Sequence, residues 1–444
     1  MSEDQLARRH FDLGPAGTLT TGEVFHRYPG KRALLHGELD GRPVVAKFYL
    51  QPLGQAWEWF RGVRGVRALH RAGVPSPALR HAGFCREAGA WLTVIDHLAA
   101  DEPWPPSEAA LEAANRRLVE TLAHHHEVGI VQNDLNWQNF IPNDGVLHAI
   151  DGDRVRGYGR SLGRRRSLRH LGRLYAGKAK LPESWVRAGL AHYARVRGWT
   201  LSPATESAFV HRVQRDRRRH AERVARRACR GWKHYPRRRH AGVTTIHDRR
   251  RLASEQLPEL LTATATVAPD ADHGELTLDG RELQWLRLPH GQRPGPGRHR
   301  PALRIWRHAL TASRIGLLMP QRVALILSDG GGDAPRAALF IQEPPRGTPL
   351  PEQLTGPGSG EALDALRRLM VTLHASRITL TAADPAAFVW DGERLILRDP
   401  RLIRCHSLTL PGFRHRWADF QQRLENELSA LLPGARLDPA PDAG

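Results

Sequence analysis

Cysteine is scarce: Cys85, Cys229 and Cys405 are the only three in 444 residues, and they lie far apart without metal-ligand spacing. That excludes a disulfide framework and suits a reducing compartment. No run approaches the roughly 18 apolar residues needed to span a bilayer, so any membrane contact is expected to be peripheral. The opening residues, MSEDQLARRHFDLG, hold no apolar stretch of the secretory type, and no export signal is expected. Acidic residues are also in deficit, 46 against 66 basic ones, for a formal charge of +20 and a pI near 11.0. Arginine supplies nearly all of that excess. It predicts an anionic partner (a phosphorylated glycolipid, an acidic leaflet or nucleic acid) without choosing among them. With 41% hydrophobic residues and this length, two globular domains are expected.

What is present centres on Ile130 to Arg156, IVQNDLNWQNFIPNDGVLHAIDGDRVR. Asp134 opens a D-L-x-x-x-N pattern closed by Asn139, and a strand-like segment then leads to Asp151-Gly152. A carboxylate, an amide five residues on and a second carboxylate at a strand end are what phosphoryl transfer in a protein-kinase-like site requires. In that pattern Asp134 accepts the proton of the attacking hydroxyl. Asn139 and Asp151 offer the hard oxygens that magnesium takes alongside phosphate.

Upstream, residues 21–50 read as a three-stranded meander with turns at Pro29-Gly30-Lys31 and Asp40-Gly41-Arg42. Lys47, in V-A-K, matches a strand lysine that holds nucleotide phosphates. No G-x-G-x-x-G loop precedes it. A helix is expected over 55–72, where Glu58 is the only acid between Lys47 and Glu87 and so the local candidate to orient the lysine. Trp57 and Trp59 read as packing residues. Strands are expected near 79–86 and 91–97, a hinge at 98–106 and a helix over 107–127. That helix ends in His124, His125 and His126, read as a cationic turn that suits the helix dipole. Beyond Asp151 lie arginine-dense helical segments. No Ala-Pro-Glu element follows, and Gln132-Asn133 stand before Asp134 in place of His-Arg. Both departures favour a small or lipid-linked acceptor over a phosphorylation-switched protein kinase.

Shifted by 248 residues, the same stretch falls on Ile378 to Arg404: Phe140 on Phe388, Leu147 on Leu395, Asp151 on Asp399. The chemistry does not follow. Asp134 falls on Ala382, Asn139 on Ala387, and Lys47 on Leu286 or its neighbour Arg287. A linker is expected within 236–250 and a loop at 289–301. The fold class expected is α+β, as tandem protein-kinase-like bilobal folds: an intact domain over 1–240 and a degenerate one over 241–444.

In VAK, GVPSP, NDLNWQNF and IDGDR the chain resembles the lipopolysaccharide core kinases, the Kdo and heptose kinase group of InaA type, over roughly residues 20–235. The resemblance implies a cytoplasmic enzyme at the inner face of the inner membrane that uses ATP and Mg2+ to phosphorylate a core sugar hydroxyl. It makes Asp134 the base, Asn139 and Asp151 the magnesium ligands, and Lys47 the phosphate contact, with Glu58 as its candidate partner. Lipopolysaccharide core or another anionic glycolipid is the implied partner; nucleic acid is not expected, since no reading module is recognisable. The alternative is a non-catalytic nucleotide-binding scaffold in envelope assembly.

Overall fold

The structure, a computed structural model, describes all residues except 1–3, 29, 51–53, 105, 108, 136, 178–180, 182, 241, 269, 290–298, 331–336, 409–411, 434 and 438–444. Pro29 of the expected first turn, Pro105 of the expected hinge and most of the expected loop at 289–301 lie outside the described residues. The chain forms two compact units. The first comprises Met1–Gly177 and Leu181–Val210, the second Lys178–Lys180 and His211–Gly444. The expected boundary at 240 therefore lies inside the second unit.

In the first unit, β1 (His10–Asp12), β2 (Thr18–Tyr28), β3 (Arg32–Leu39), β4 (Arg42–Tyr49), β5 (Leu79–Cys85) and β6 (Ala90–Asp96) form one antiparallel sheet, ordered β1-β2-β3-β4-β6-β5. Strand alternation divides its faces. Ala33, Leu35, Val44, Ala46, Phe48, Leu92 and Val94 pack with Leu6, Phe11 and Leu19 of the N-terminal segment. Leu34, Val45, Lys47, Tyr49, Thr93 and Ile95 line the cleft on the other face. Helix α1 (Gln55–Arg71) stops where Gly73 takes φ 65°, with Val74 N–H returning to the Leu69 carbonyl.

Helix α2 (Leu111–Glu127) buries Ala114, Leu118, Val119, Leu122 and Ala123 at helical spacing. Four short strands follow. β7 (Ile130–Gln132) pairs with β10 (Val155–Gly157), enclosing the hairpin of β8 (Phe140–Asn143) and β9 (Val146–Ala149). Helices α3 (Arg164–Ala176) and α4 (Glu183–Val196) follow, then α5 (Pro203–Arg230), on which the division between the units falls.

The second unit's sheet holds β11 (Arg237–His240), β12 (Val243–His247), β13 (His273–Leu278), β14 (Arg281–Arg287), β15 (Arg322–Ser328) and β16 (Ala337–Gln342). The expected linker is thus partly sheet: VTTIH pairs with β15 and is mostly buried, and the exposed RRRH strand edges it. The order is β11-β12-β15-β16-β14-β13, so β13-β14-β16-β15 repeats β3-β4-β6-β5. The two extra strands join at opposite edges in the two units. Both hairpins turn on Asp-Gly with positive φ, Asp40-Gly41 and Asp279-Gly280. Counted from those turns, Leu286 takes the place of Lys47.

Helix α6 (Leu257–Ala265) covers one face of this sheet, and α7 (Arg300–Arg314) lies in the core of the other. Next come β17 (Thr348–Pro349), α8 (Leu350–Thr355), α9 (Ser359–Ala375), β18 (Ile378–Leu380), β19 (Phe388–Trp390), β20 (Leu395–Leu397), β21 (Ile403–Cys405) and α10 (Phe413–Leu431). Here the internal repeat appears as backbone pairing. Ile130↔Gly157 and Gln132↔Val155 recur as Ile378↔Cys405 and Leu380↔Ile403. Phe140↔Ala149 and Pro142↔Leu147 recur as Phe388↔Leu397 and Trp390↔Leu395, always 248 residues on.

Candidate active site

In the first unit, the cleft-facing side of β3, β4 and β6 meets the hairpin β8–β9 and its continuation, Asp151-Gly152-Asp153, around a cavity of about 440 Å3. That is the scale of a small-molecule or cofactor site. Val45, Ile95, Ile141 and Ile150 supply its apolar lining, and Lys47, Asn139, Asp151 and Asp153 part of its polar lining. Lys47 and Asp151, predicted from sequence, come together: Nζ lies 3.4 Å from Asp151 Oδ1. Asn139 lines the same cavity, and its Nδ2 donates to the Asp134 carbonyl at 2.9 Å, bracing the loop that bears Asp134. Asp134 itself is exposed.

Glu58 is not the lysine's partner. The nearer carboxylate is Asp153, 2.7 Å from Lys47 Nζ, and it also pairs with Arg32 and accepts weakly from the Tyr49 hydroxyl at 3.4 Å. The reason lies in α1. Its face toward the site is glycine: a Cβ at Gly62 would lie 2.7 Å from both Asp153 Oδ1 and Tyr49 Oη, and one at Gly65 would fall on the Gly152 carbonyl oxygen. The helix backbone therefore sits against the 151–153 segment and leaves no room for a helix glutamate. Glu58 stays in the first turn, where its charge suits the helix dipole. Asp153, Arg32 and Tyr49 were missed from sequence. The second acid of IDGDR was the available signal.

Burial alone would lower the Lys47 pKa. Asp151, Tyr49 and Asp153 outweigh it, and the net shift is upward, so the ammonium is held charged. Burial would likewise raise Asp153, but Lys47 and Arg32 hold it below the ordinary carboxylate value. Among the described residues no cluster of three or more His, Cys, Asp or Glu side chains could hold a metal. The available hard-oxygen donors are the amide oxygen of Asn139 and the carboxylate of Asp151, a pair that fits magnesium carried in with phosphates.

Behind the loop runs a buried hydrogen-bond chain. His170 Nε2 lies 2.6 Å from the Gln132 carbonyl, which can only accept, so that nitrogen carries the proton. His170 Nδ1 then accepts from His126 Nε2 at 2.7 Å, and His126 Nδ1 accepts from the Tyr193 hydroxyl at 2.6 Å. Arg197 donates to Tyr193 at 3.1 Å. Burial, chiefly, holds His126 at about 2 and His170 at about 4. His125 is buried beside them and lowered to about 3. The expected cationic helix end is corrected: of the three histidines only His124 is exposed. Trp59 packs on Trp91 as expected, with ring centroids 4.1 Å apart, whereas Trp57 is 61% exposed.

In the second unit the equivalent place is filled. Leu286 is in the core, and Trp306 of α7 is fully buried against Phe340. Arg401, at the position of Asp153, pairs with Asp399 at 2.8 Å and donates to the Arg287 carbonyl at 3.3 Å.

No family model and no curated protein matches the chain. Solved structures similar to it include WaaP in complex with acyl carrier protein, 22% identical, covering 43% of this chain and 86% of that one, TM-score 0.31. A Ralstonia eutropha protein described as an aminoglycoside phosphotransferase is 11% identical over 50% of this chain and 88% of that one, TM-score 0.32. The BubR1 kinase domain is 14% identical over 34% and 51%, TM-score 0.27. The chemistry of the site is read from its own side chains.

Proposed function

We propose that the first unit is a kinase-like phosphotransferase that moves the γ-phosphoryl group of ATP to a sugar hydroxyl of a lipopolysaccharide inner core. The observation that carries this is the meeting of Lys47 and Asp151 in a cleft that Asn139 also lines. The apolar wall takes the base of the nucleotide and Lys47 its phosphates. Asn139 and Asp151 hold magnesium, which when bound neutralises phosphate charge. Asp134 takes the proton of the acceptor hydroxyl as its oxygen bonds to phosphorus and the bond to the ADP oxygen breaks. The second unit is a degenerate copy of the same bilobal fold, without base, amide ligand or lysine.

Among the described residues no helix is long and apolar enough to cross a membrane. The proposed place of work is the cytoplasmic face of the inner membrane, reached peripherally. The full chain with Mg-ATP and a core-bearing glycolipid tests the reading. Asp134→Ala should lose at least about 100-fold in kcat while still binding ATP, and Lys47→Met should lose ATP affinity. Transfer by Asp134→Ala at near wild-type rate refutes it. ATP binding by the wild type without transfer to any core acceptor would instead favour the scaffold reading, which the lack of a glycine-rich loop suits.

A further inference from the structure

A second cavity, about 620 Å3, opens on the other side of Asp153, between α1 and residues 153–158. Asp153 lines both cavities. Asn133, adjoining Asp134, lies on the wall of the second, while Asn139, bonded to Asp134, lies on the wall of the first. The second cavity therefore reaches the residue next to the proposed base.

The second cavity is walled by guanidinium groups. Arg64, Arg154 and Arg156 are exposed, and none is in an ion pair with a described residue. Arg61 donates to the Asp153 backbone carbonyl at 3.2 Å. The carboxylate in the wall, Asp153, is already neutralised by Lys47 and Arg32. Like charges gathered in one hollow repel one another and raise the local concentration of anions. On the rim, Trp57 and Phe60 are 61% and 48% exposed, with rings stacked 5.9 Å apart. Such a pair offers a face to the apolar side of a sugar or to the start of an acyl chain. The charges converge on one hollow instead of tracking a strand, which favours a single headgroup over a polynucleotide.

We propose that this cavity is the acceptor subsite and takes a phosphate- or carboxylate-bearing sugar headgroup of an amphiphile. Its catalytic role rests on the phosphotransferase reading; its binding role does not. The acceptor must then already carry an anionic group beside the reacting hydroxyl. A reaction that installs that group precedes this one.

The test uses the full chain and deep-rough lipopolysaccharide dispersed in nonionic micelles, with titrations of ATP in parallel. Arg64→Gln/Arg156→Gln should weaken glycolipid binding about 10- to 30-fold, at roughly a factor of five per arginine, and leave ATP affinity within about twofold. Arg67→Gln/Arg71→Gln, on the same helix but outside the cavity, should change glycolipid binding less than about threefold. Unchanged glycolipid binding by the first pair overturns the proposal, as does an equal loss in the second. Tighter binding of single-stranded RNA than of glycolipid by the wild type, lost in the first pair, overturns it in favour of nucleic acid. A wild type that binds glycolipid through these arginines but not ATP keeps the anion site and removes the phosphotransferase reading.

Discussion

Replacing His126 by Phe tests the buried chain behind the loop that bears Asp134. The substitution roughly keeps ring volume and removes both nitrogens, so the Tyr193 hydroxyl loses its acceptor and His170 Nδ1 its donor. Tyr193 keeps Arg197 as a donor, but its hydroxyl hydrogen and His170 Nδ1 each lose a buried partner at about 1–3 kcal/mol, so the first unit should lose about 2–6 kcal/mol at neutral pH. Thermal unfolding should fall by roughly 5–15 °C. The wild type has a second signature. His125, His126 and His170 all have folded-state pKa values below the ordinary 6.5. The unfolded chain therefore binds more protons below that value. Stability is complete above pH 6.5 and falls as pH drops toward 4, by about 1 kcal/mol per pH unit for each ring, or about 3–4 for the three. His126→Phe should remove about a third of that slope. Stability within about 1 kcal/mol of wild type, together with an unchanged acid slope, would refute both the hydrogen-bond chain and the neutrality of the rings.

Gly65→Ala should destabilise the first unit by about 3 kcal/mol or more, because its methyl group would meet the Gly152 backbone; denaturant melts of the variant check this. Asp153→Asn leaves Lys47 and Arg32 without their shared carboxylate and should cost about 2–4 kcal/mol at pH 7. Because the folded-state pKa of Asp153 lies below 3.8, that contribution is whole above 3.8 and is lost as pH falls from there through the lower folded-state value. The stability gap between wild type and variant should therefore be constant above about pH 4 and narrow progressively in unfolding measured at lower pH. In the second unit, Leu286→Lys should destabilise by about 3 kcal/mol without creating nucleotide binding, since an ammonium there enters a hydrocarbon core; calorimetry with ATP reads both.

The two-residue period of PVVAKFYL places Lys47 on the cleft face, and Asp151 follows a hairpin whose pairing the sequence repeat mirrors residue for residue. Those elements were legible because they depend on local alternation and chain-neighbour geometry. The choice of Asp153 over Glu58 was not. It turns on how closely a helix approaches a loop about 90 residues away, and what marks that approach in the sequence is two glycines with no side chain to advertise it. The histidine run misled for a related reason: one residue type occupies three successive helix positions, and only packing decides that His125 and His126 face inward while His124 meets water. VTTIH reads as part of a linker because arginines flank it, yet four of its five residues are β-branched and it forms a strand against β15.

The backbone contact between α1 and Gly152 also bears on control. A helix that carried its glutamate to the lysine could swing away and disarm the site, as in switchable kinases. Here the acid arrives from the loop, and helix and loop are interlocked at their main chains, so swinging α1 outward would pull the Asp151–Asp153 segment with it. If this unit transfers phosphate as proposed, its rate should follow the supply of its two substrates, with no outward swing of α1 to switch it off.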